Sequence, residues 1–347
     1  MKKMLSLLLA GVMACSAVGC GADLTSAEGG AEGETELNIY MWPEYISDAL
    51  IERFEEENNC TVNLSYMEDN ADAVEKLMTG GQGYDLIMTC DAYMDGLIEG
   101  EHLEKLGVTN IPNTSNIKDA YWRNKSYCVP YLMNYIYVVY DVETCPIEIN
   151  GYNDLLDPAL KGKISSIDGA RNLFPIALIA LGYDPNSTEA SELTEAYEWL
   201  KKFDENVAVY GHAEEDLVNG TVSVAVTYDG NASWAMEQKK TVKIAPFTRD
   251  KIQLGVDLFV MPEGAEHVEL AKAFLHFICD PEVMAENLEE YPYSCPNEAA
   301  VFLASAEYRN DPARDFDYKD RVFFQKSVGD AEEIYQGYYQ QLVAARE

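Results

Sequence analysis

The sequence predicts an α/β protein with open sheets, on two observations. Stretches in which every second residue is apolar, the period of a strand, alternate along the chain with stretches in which apolar residues recur three or four apart, the period of a helix. This alternation is typical of βαβ units, in which helices cover a largely parallel sheet. Residues 36–347 are also enough for two domains with separate hydrophobic cores.

The first βαβ unit is predicted to begin near residue 37. Leu37, Ile39 and Met41 alternate as a short strand, and Ser47 is placed to cap the helix that follows, whose apolar stripe includes Phe54. The same reasoning predicts two further strands and one helix before residue 90, with the strands at 62–66 and 84–89 and the helix at 71–78.

The alternation resumes after Pro130, and no internal repeat accompanies it. Five more strands are predicted, at 136–140, 163–167, 207–210, 222–227 and 242–245. Four more helices are predicted, at 173–181, 192–203, 265–278 and 331–345.

The N-terminus has the pattern of an export signal. Two lysines precede an apolar run over residues 4–13, which is too short to span a bilayer as a helix but suits a signal-peptide core. Small residues then lead to Cys20, as a lipoprotein signal peptidase requires. We therefore expect residues 1–19 to be a lipoprotein signal peptide and Cys20 to be lipidated. The alternatives are lipidation at Cys15 and an ordinary secretory signal with an incidental cysteine.

Residues 20–35 are expected to form a tether behind the lipid. Past Cys20 they consist of Gly, Ala, Ser, Thr and acidic residues, with Leu24 as the single large apolar side chain, so they cannot bury a core. A lipid followed by such a tether would hold the folded part outside the cytoplasm, in the periplasm or at the cell surface.

The chain is strongly acidic. It contains 60 Asp and Glu against 25 Lys and Arg, a formal charge of −35, which becomes −37 if the two lysines of residues 1–19 are removed. A field of this sign attracts cations and opposes binding to nucleic acid or to an anionic lipid surface. Solubility alone explains such a charge equally well, so the charge excludes partners without selecting one.

The cysteines and histidines form no catalytic or metal-binding pattern. Six cysteines follow the tether, with the spacing of neither a zinc site nor a disulfide-dense scaffold, so most are expected to be buried thiols. The alternative is one disulfide, between a pair that the sequence does not identify. The four histidines have no paired ligand spacing, and neither a nucleophile elbow nor a phosphate loop is present. We therefore expect no metal, no cofactor and no enzymatic activity.

Three loops that follow predicted strands each carry an aromatic residue beside a carboxylate. In open α/β sheets, ligands bind beyond the carboxyl ends of the strands. A ring face and a carboxylate together suit an organic ammonium ion, through cation–π attraction and charge-assisted hydrogen bonds. Any one of these could equally be a surface loop with a packed aromatic. Together they predict a site for a small cation, formed by residues 42–45, 90–93 and 228–230.

From Leu37 to the C-terminus, the sequence resembles the spermidine/putrescine-binding proteins of polyamine ABC importers. The resemblance is carried by short stretches at 37–45, 83–87, 129–131, 160–164, 273–277, 280–282 and 293–297. It implies a type II periplasmic-binding-protein-like fold, in which two lobes, each an open α/β sheet, close over a ligand in the cleft between them. Lobe 1 would comprise residues 36–132 and 257–305, and lobe 2 would comprise residues 133–256 and 306–347.

The resemblance also implies roles for five residues. Trp42, Tyr45 and Tyr293 would be aromatic walls around the ligand. Asp257 would be a carboxylate for an ammonium group, with a surface turn as the alternative, and Gln325 would be a terminal hydrogen-bond partner.

The sequence departs from this family in the acids of the cleft. Gly169 and Asn172 stand where the family has two acidic residues, so that only the neighbouring Asp168 remains. Asp91 and Asp229 are acids where the family tends to have neutral residues, and they could restore the lost charge from another side.

It departs in bulk as well. Tyr228 and Gly255 stand where the family has two indoles, Cys90 stands in place of a serine, and Ala92, beside Tyr93, stands in place of a tyrosine. A ligand site that has lost aromatic bulk and two acidic side chains would suit a shorter primary diamine or another organic cation.

The predicted function is that of an extracytoplasmic, lipid-anchored, monomeric solute-binding protein. It would capture a polyamine of the putrescine or spermidine class in the interlobe cleft and deliver it to the permease and ATPase subunits of an ABC importer. The alternatives are a binding protein for another small organic cation and a non-transport sensor lipoprotein of the same fold.

Overall fold

The computed structural model describes residues 35–247, 250–314 and 322–346, which form ten strands and twelve helices. The strands are β1 (Thr35–Met41), β2 (Cys60–Tyr66), β3 (Leu86–Cys90), β4 (Cys128–Asp141), β5 (Ile164–Ser166), β6 (Val207–Tyr210), β7 (Val224–Tyr228), β8 (Val242–Ile244), β9 (Ile252–Val260) and β10 (Val322–Phe324). The helices are α1 (Asp48–Asn58), α2 (Asn70–Met78), α3 (Met94–Glu99), α4 (Ala170–Leu181), α5 (Ala190–Asp204), α6 (Ala213–Asn219), α7 (Asp229–Gln238), α8 (Val268–Ile278), α9 (Pro281–Glu290), α10 (Glu298–Leu303), α11 (Ala306–Asn310) and α12 (Glu332–Ala344). The expected signal peptide, the lipidation site at Cys20 and residues 20–34 of the expected tether lie outside the described residues.

The strands form one mixed sheet with two halves. Their order is β2-β1-β3-β9-β4-β7-β5-β6, with β10 also paired to β9 and β8 to β4. In one half β1 runs parallel to β2 and β3, and in the other β5 runs parallel to β6 and β7. Strand β4 joins the halves, because its residues 128–135 pair with β9 while its residues 136–141 pair with β7 and β8.

Two of the three lobe boundaries proposed from the sequence fall inside strands that connect the halves, and the third, between residues 305 and 306, lies at the start of α11. The boundary between residues 132 and 133 lies in β4, and the boundary between 256 and 257 lies in β9. These two strands are antiparallel neighbours and almost wholly buried. The two halves of the sheet are thus connected through β4 and β9. The division of the chain into lobes stays a prediction.

Most predicted elements are present. Strands β1 to β3 and β5 to β8, and helices α1, α2, α4, α5, α8 and α12, begin and end within a few residues of their predicted limits. Ser47 occupies the N-cap position of α1 as predicted, but its hydroxyl makes no capping bond. Its backbone N–H instead donates to Asn287 Oδ1 at 3.0 Å, which ties the start of α1 to helix α9.

The two central strands differ from the prediction. Strand β4 begins at Cys128 rather than at residue 136, even though it contains Pro130. The register of its pairing with β9 shifts beside Pro130, and such an irregularity tolerates a residue without an N–H. Strand β9 is absent from the prediction altogether, although Ile252, Leu254 and Val256 recur at every second position.

The stretch around Pro281 both ends one helix and begins another. The sequence predicts only the end of a helix there, which the structure places at Ile278. Asp280 then caps α9, because its carboxylate accepts from the N–H groups of Glu282 and Val283, and Pro281 occupies the first turn, where its missing N–H does no harm.

Five cysteines of the described ranges are free thiols, namely Cys90, Cys128, Cys145, Cys279 and Cys295, and the last two are buried together with Cys128. Cys60 is buried as well. Within those same ranges, no helix is long and apolar enough to cross a membrane.

Candidate functional site

A cleft of about 520 Å³ lies where the two halves of the sheet meet. Its walls come from the loops after β1, β3 and β7 and from the parts of β4 and β9 that run between the halves. Cys90 at the end of β3 pairs with Asp257 of β9, and Tyr228 at the end of β7 pairs with Ile136 of β4. The strand ends from which the sequence predicts a cation site therefore converge on one cleft.

Asp257 is a buried carboxylate in this cleft. Its Oδ2 accepts hydrogen bonds from Asn134 Nδ2 at 2.6 Å and from Tyr45 Oη at 3.0 Å, and the residue is 3% exposed. Burial raises the pKa of Asp257 to about 6, and the charge of Asp229 adds to the rise, whereas the hydrogen bonds from Asn134, Tyr45 and Trp42 lower it. The position on β9 excludes a surface turn, and at neutral pH the group carries a desolvated negative charge.

Asp91 is a second buried acid at the cleft. Its Oδ2 lies 3.3 Å from Arg123 Nε, and its Oδ1 accepts from the backbone N–H of Val256 at 3.5 Å. Burial raises the pKa of Asp91 to about 7, and the Arg123 guanidinium offsets part of that rise. Because Arg123 already pairs with it, Asp91 presents less uncompensated charge to a ligand than Asp257 does.

Aromatic rings stand around Asp257. Trp42, Tyr45, Tyr228 and Tyr293 all line the cleft. The ring centroids of Tyr45 and Tyr293 are 4.7 Å apart, with the ring planes inclined at 47°. Tyr45 is nearly fully buried, while Trp42 keeps part of its surface open to the cleft and to solvent. Ring faces next to a carboxylate can bind a cation together with the methylene chain that carries it.

A third part of the cleft consists of amide side chains. Gln325 Nε2 and Gln253 Nε2 both donate to the backbone carbonyl of Arg171, at 2.8 and 3.3 Å. Asn172 Nδ2 donates to the hydroxyl of Tyr228 at 3.1 Å. This region offers hydrogen-bonding groups but no formal charge.

Seven of the ten ligand-binding residues predicted from the sequence line the cleft: Trp42, Tyr45, Cys90, Tyr228, Asp257, Tyr293 and Gln325. Tyr93, Asp168 and Asp229 do not. Contact of these ten residues with a ligand stays a prediction.

Asp229 does not supply the charge that the departures from the family remove. It is fully buried, and its Oδ2 accepts from Arg314 Nη1 at 2.9 Å and from the Ser294 hydroxyl at 2.5 Å, while its Oδ1 accepts from the Tyr135 N–H at 3.2 Å. Its charge is therefore compensated by Arg314. Asp168 lies 3.6 Å from a guanidinium nitrogen of Arg346, so it too has a cationic neighbour.

Asn134 and Gln253 line the cleft but are not among the residues predicted from the sequence. Gln253, Gly255 and Asp257 share one face of β9, because alternate residues of a strand point to the same side. That period would have identified Gln253 if β9 itself had been recognised. Asn134 lies in the half of β4 that the sequence analysis leaves out, and it carries no motif of its own.

The cleft has no activated nucleophile in the described residues that line it. Burial raises the pKa of the Cys90 thiol well above its ordinary value, with the charges of Asp91 and Asp257 adding to the rise, so the thiol stays uncharged. Across the described ranges, no group of three or more His, Cys, Asp or Glu side chains is placed to hold a metal ion. What the geometry offers is recognition: a buried carboxylate, ring faces and amide oxygens.

Comparison with known proteins gives one family. A model of bacterial extracellular solute-binding proteins matches residues 49–315. The spermidine/putrescine-binding periplasmic protein of Salmonella typhimurium is 30% identical over 332 residues, which cover 92% of this chain and 95% of that relative.

Many solved structures share the fold, among them the following two. The spermidine/putrescine ABC transporter substrate-binding protein PotD of Streptococcus pneumoniae has a TM-score of 0.78 at 24% identity, with 90% of this chain and 100% of that chain covered. The TpPotD lipoprotein of Treponema pallidum has a TM-score of 0.79 at 23% identity, with 88% and 99% covered. The predicted two-lobed, type II periplasmic-binding-protein-like fold is confirmed by these neighbours.

Proposed function

The chain belongs to the family of bacterial extracellular solute-binding proteins, and we propose that its cleft captures a polyamine of the putrescine or spermidine class. As a member of that family it is an extracytoplasmic binding component of an ABC importer and not an enzyme. The observation that carries the ligand class is Asp257, whose buried carboxylate stands among ring faces and has no cationic partner among the described residues that line the cleft. A buried charge of this kind is stabilised by a counter-ion, which a ligand ammonium supplies.

The charges around the cleft argue against anionic and neutral ligands. Glu44, Asp91 and Asp257 line it, and no lysine or arginine does so within the described ranges. An anion would meet the carboxylates of Glu44 and Asp257 without a lysine or arginine of the described cleft wall to offset them. A neutral sugar would leave Asp257 desolvated and unpaired, so burial of that group would oppose binding.

A different small organic cation is the second candidate, and Gly255 favours it. A Cβ built at Gly255 would meet only the backbone oxygen of Asn134, at 4.0 Å. The wall is therefore open where the resemblance leads one to expect an indole, which leaves room for a bulkier or branched cation.

We propose that the lobes are residues 36–132 with 257–305 and residues 133–256 with 306–347, and that they close over the ligand. Asp257 and Tyr45 would hold the ligand from the first lobe, and Tyr228 and Asn172 from the second. A ligand that contacts both lobes favours the closed conformation. The permease would then recognise that conformation of a monomeric protein.

We propose further that a lipid on Cys20 anchors the protein, with residues 20–35 as the tether. The fold neighbour from Treponema pallidum is described as a lipoprotein, so a lipid-anchored form of this fold has a precedent.

A ligand screen tests the proposed function. Putrescine, spermidine, spermine, amino acids and sugars should be compared by thermal shift and then by calorimetry, because a ligand that binds only the folded protein raises its melting temperature. We expect polyamines to raise the melting temperature and sugars and acidic amino acids to leave it unchanged. A protein that gives no binding heat with any polyamine would contradict the proposal.

A further inference from the structure

A proline in helix α4 frees a backbone carbonyl beside the cleft. Pro175 has no N–H to donate to the carbonyl of Arg171 one turn earlier. That carbonyl instead accepts from the Nε2 groups of Gln325 and Gln253. Because a carbonyl oxygen can only accept, the NH₂ groups of both amides must face it, and their oxygens must point elsewhere.

This arrangement leaves Gln253 Oε1 as an unused acceptor. The side chain of Gln253 lines the cleft and the residue is 2% exposed, yet its Oε1 accepts no hydrogen bond within the described part of the chain. A buried acceptor without a partner destabilises the free protein. At the wall of a ligand cleft, the ligand can supply the missing donor.

Gln253 and Asp257 are placed for the two ends of one elongated ligand. They lie on the same face of β9 with Gly255 between them, and four residues of a strand span about 13 Å. Gly255 has no side chain to block that path, and even an added Cβ would touch only Asn134 O, at 4.0 Å. A methylene chain can therefore run along β9 over Gly255, from the carboxylate of Asp257 towards the amide of Gln253.

We propose that Gln253 Oε1, beside the amide of Gln325, binds the second amino group of the ligand while Asp257 binds the first. The inference rests on the proposed function, since it takes the ligand to be a polyamine. The second subsite recognises an ammonium group through neutral acceptors rather than through a carboxylate. It therefore accepts hydrogen bonds from the ammonium N–H groups and positions them without adding negative charge.

The nearby guanidinium of Arg171 does not occupy this subsite. It lies over the ring of Tyr335 at 4.9 Å and within 3.6 Å of Glu332, and Arg171 is not among the residues that line the cleft. Its backbone carbonyl orients the two glutamines, while its charge is directed to helix α12.

The test compares two ligands that differ in one amino group, 1,4-diaminobutane and 1-aminobutane, on the parent protein and on Gln253→Met. Methionine keeps the length of the side chain but removes the acceptor. We expect the variant to bind the diamine about tenfold or more weakly and the monoamine within about twofold of the parent. Thermal shift at high ligand concentration detects the weak binding of the monoamine, and calorimetry measures the affinity for the diamine.

The outcomes separate this inference from the proposed function. An equal loss of affinity for both amines would show that Gln253 maintains the shape of the cleft rather than contacting the second amino group, and it would overturn the inference. Unchanged affinity for the diamine would overturn it too. A parent protein that binds no polyamine would overturn the proposed function itself, and the inference with it.

Pro175→Ala supplies a second variant, because it restores an N–H that competes for the Arg171 carbonyl. We expect this variant, like Gln253→Met, to reduce the preference for the diamine.

Discussion

Tyr45 and Asp257 are 212 residues apart in the chain, yet Tyr45 Oη donates to Asp257 Oδ2 at 3.0 Å inside the cleft. Tyr45 follows the first strand and Asp257 lies on the central strand β9, so this bond ties the entry loop of the fold to its middle. The tyrosine orients the carboxylate and favours its ionised form, against the burial that raises its pKa.

Asp257→Asn is expected to weaken polyamine binding by well over tenfold. The substitution keeps the shape and removes the charge, and loss of one partner of a buried charge pair typically costs about 2–5 kcal/mol. Calorimetry with putrescine measures the change. Asp95→Asn is the matched control, because it removes the same charge from an exposed position on α3, outside the cleft. Equal affinity of Asp257→Asn and the parent would place the ligand ammonium elsewhere.

The same substitution is expected to stabilise the ligand-free protein at neutral pH. Folding raises the pKa of Asp257 from 3.8 to about 6, so the folded protein holds this proton more tightly than the unfolded chain does. Ionisation of Asp257 in the folded protein therefore opposes folding by up to about 3 kcal/mol. This penalty is absent below about pH 4 and complete above about pH 6.

Melting curves across that range check the sign. The parent and Asp257→Asn should melt at similar temperatures near pH 4, and the variant should melt higher at pH 7. A variant that melts lower at pH 7 would show that the hydrogen bonds from Tyr45 and Asn134 to the carboxylate outweigh its desolvation.

Trp42→Ala is expected to weaken ligand binding by about 1–2 kcal/mol, the scale of a cation–π contact shielded from water. Fold stability should change little, because Trp42 lies in the loop after β1 and is partly exposed. Trp234→Ala on α7 is the control, since that indole is 40% exposed and does not line the cleft. Unchanged affinity in a well-folded Trp42→Ala protein would assign the indole to packing between the lobes.

Cys20→Ala is expected to release the protein from the membrane fraction or to leave its precursor uncleaved. The reason is that the thiol of this residue would carry the lipid. Incorporation of labelled lipid measures the anchor, with Cys15→Ala as the control. Labelling that persists in Cys20→Ala and disappears in Cys15→Ala would move the lipidation site to Cys15.

Local patterns predict the parallel parts of this fold well. β1, β2 and their helices can be recognised because their apolar residues recur with the period of a strand or of a helix, as at Leu37, Ile39 and Met41 of β1. The rule that ligands bind beyond strand ends then brings Trp42, Cys90 and Tyr228 to one cleft from sequence alone.

The central strands are harder to predict for a physical reason. β4 and β9 are buried on both faces, so polar residues on them do not mark a solvent side. Pro130 reads as a break, and the bulge that accommodates it is set by pairing with β9, which is a long-range contact. Likewise, the ion pair between Asp229 and Arg314 joins residues that are 85 positions apart in the chain. No local pattern contains that contact, so a sequence analysis places Asp229 in the site.

Spermidine is expected to show little advantage over putrescine in the parent protein. Gly169 and Asn172 stand where the related family has two acids, and the amide part of the cleft carries no formal charge. A third amino group would therefore find acceptors but no carboxylate. A strong preference for spermidine would show that Asp91 or Asp168 fills the role instead.

Asn172→Asp is expected to create that preference. The Asn172 amide now donates to the carbonyl of Asp168 at 2.7 Å and to the hydroxyl of Tyr228 at 3.1 Å. An aspartate cannot donate to the Asp168 carbonyl, so its carboxylate should turn towards the cleft, where a charge-assisted hydrogen bond to an additional ammonium group is about twice as strong as a neutral one. Spermidine affinity should rise by about tenfold relative to putrescine, while Asn63→Asp, which adds the same charge at an exposed site on β2, should change neither affinity. Equal gains for both amines in Asn172→Asp would mean that the new charge acts through the general field of the cleft rather than on a third amino group.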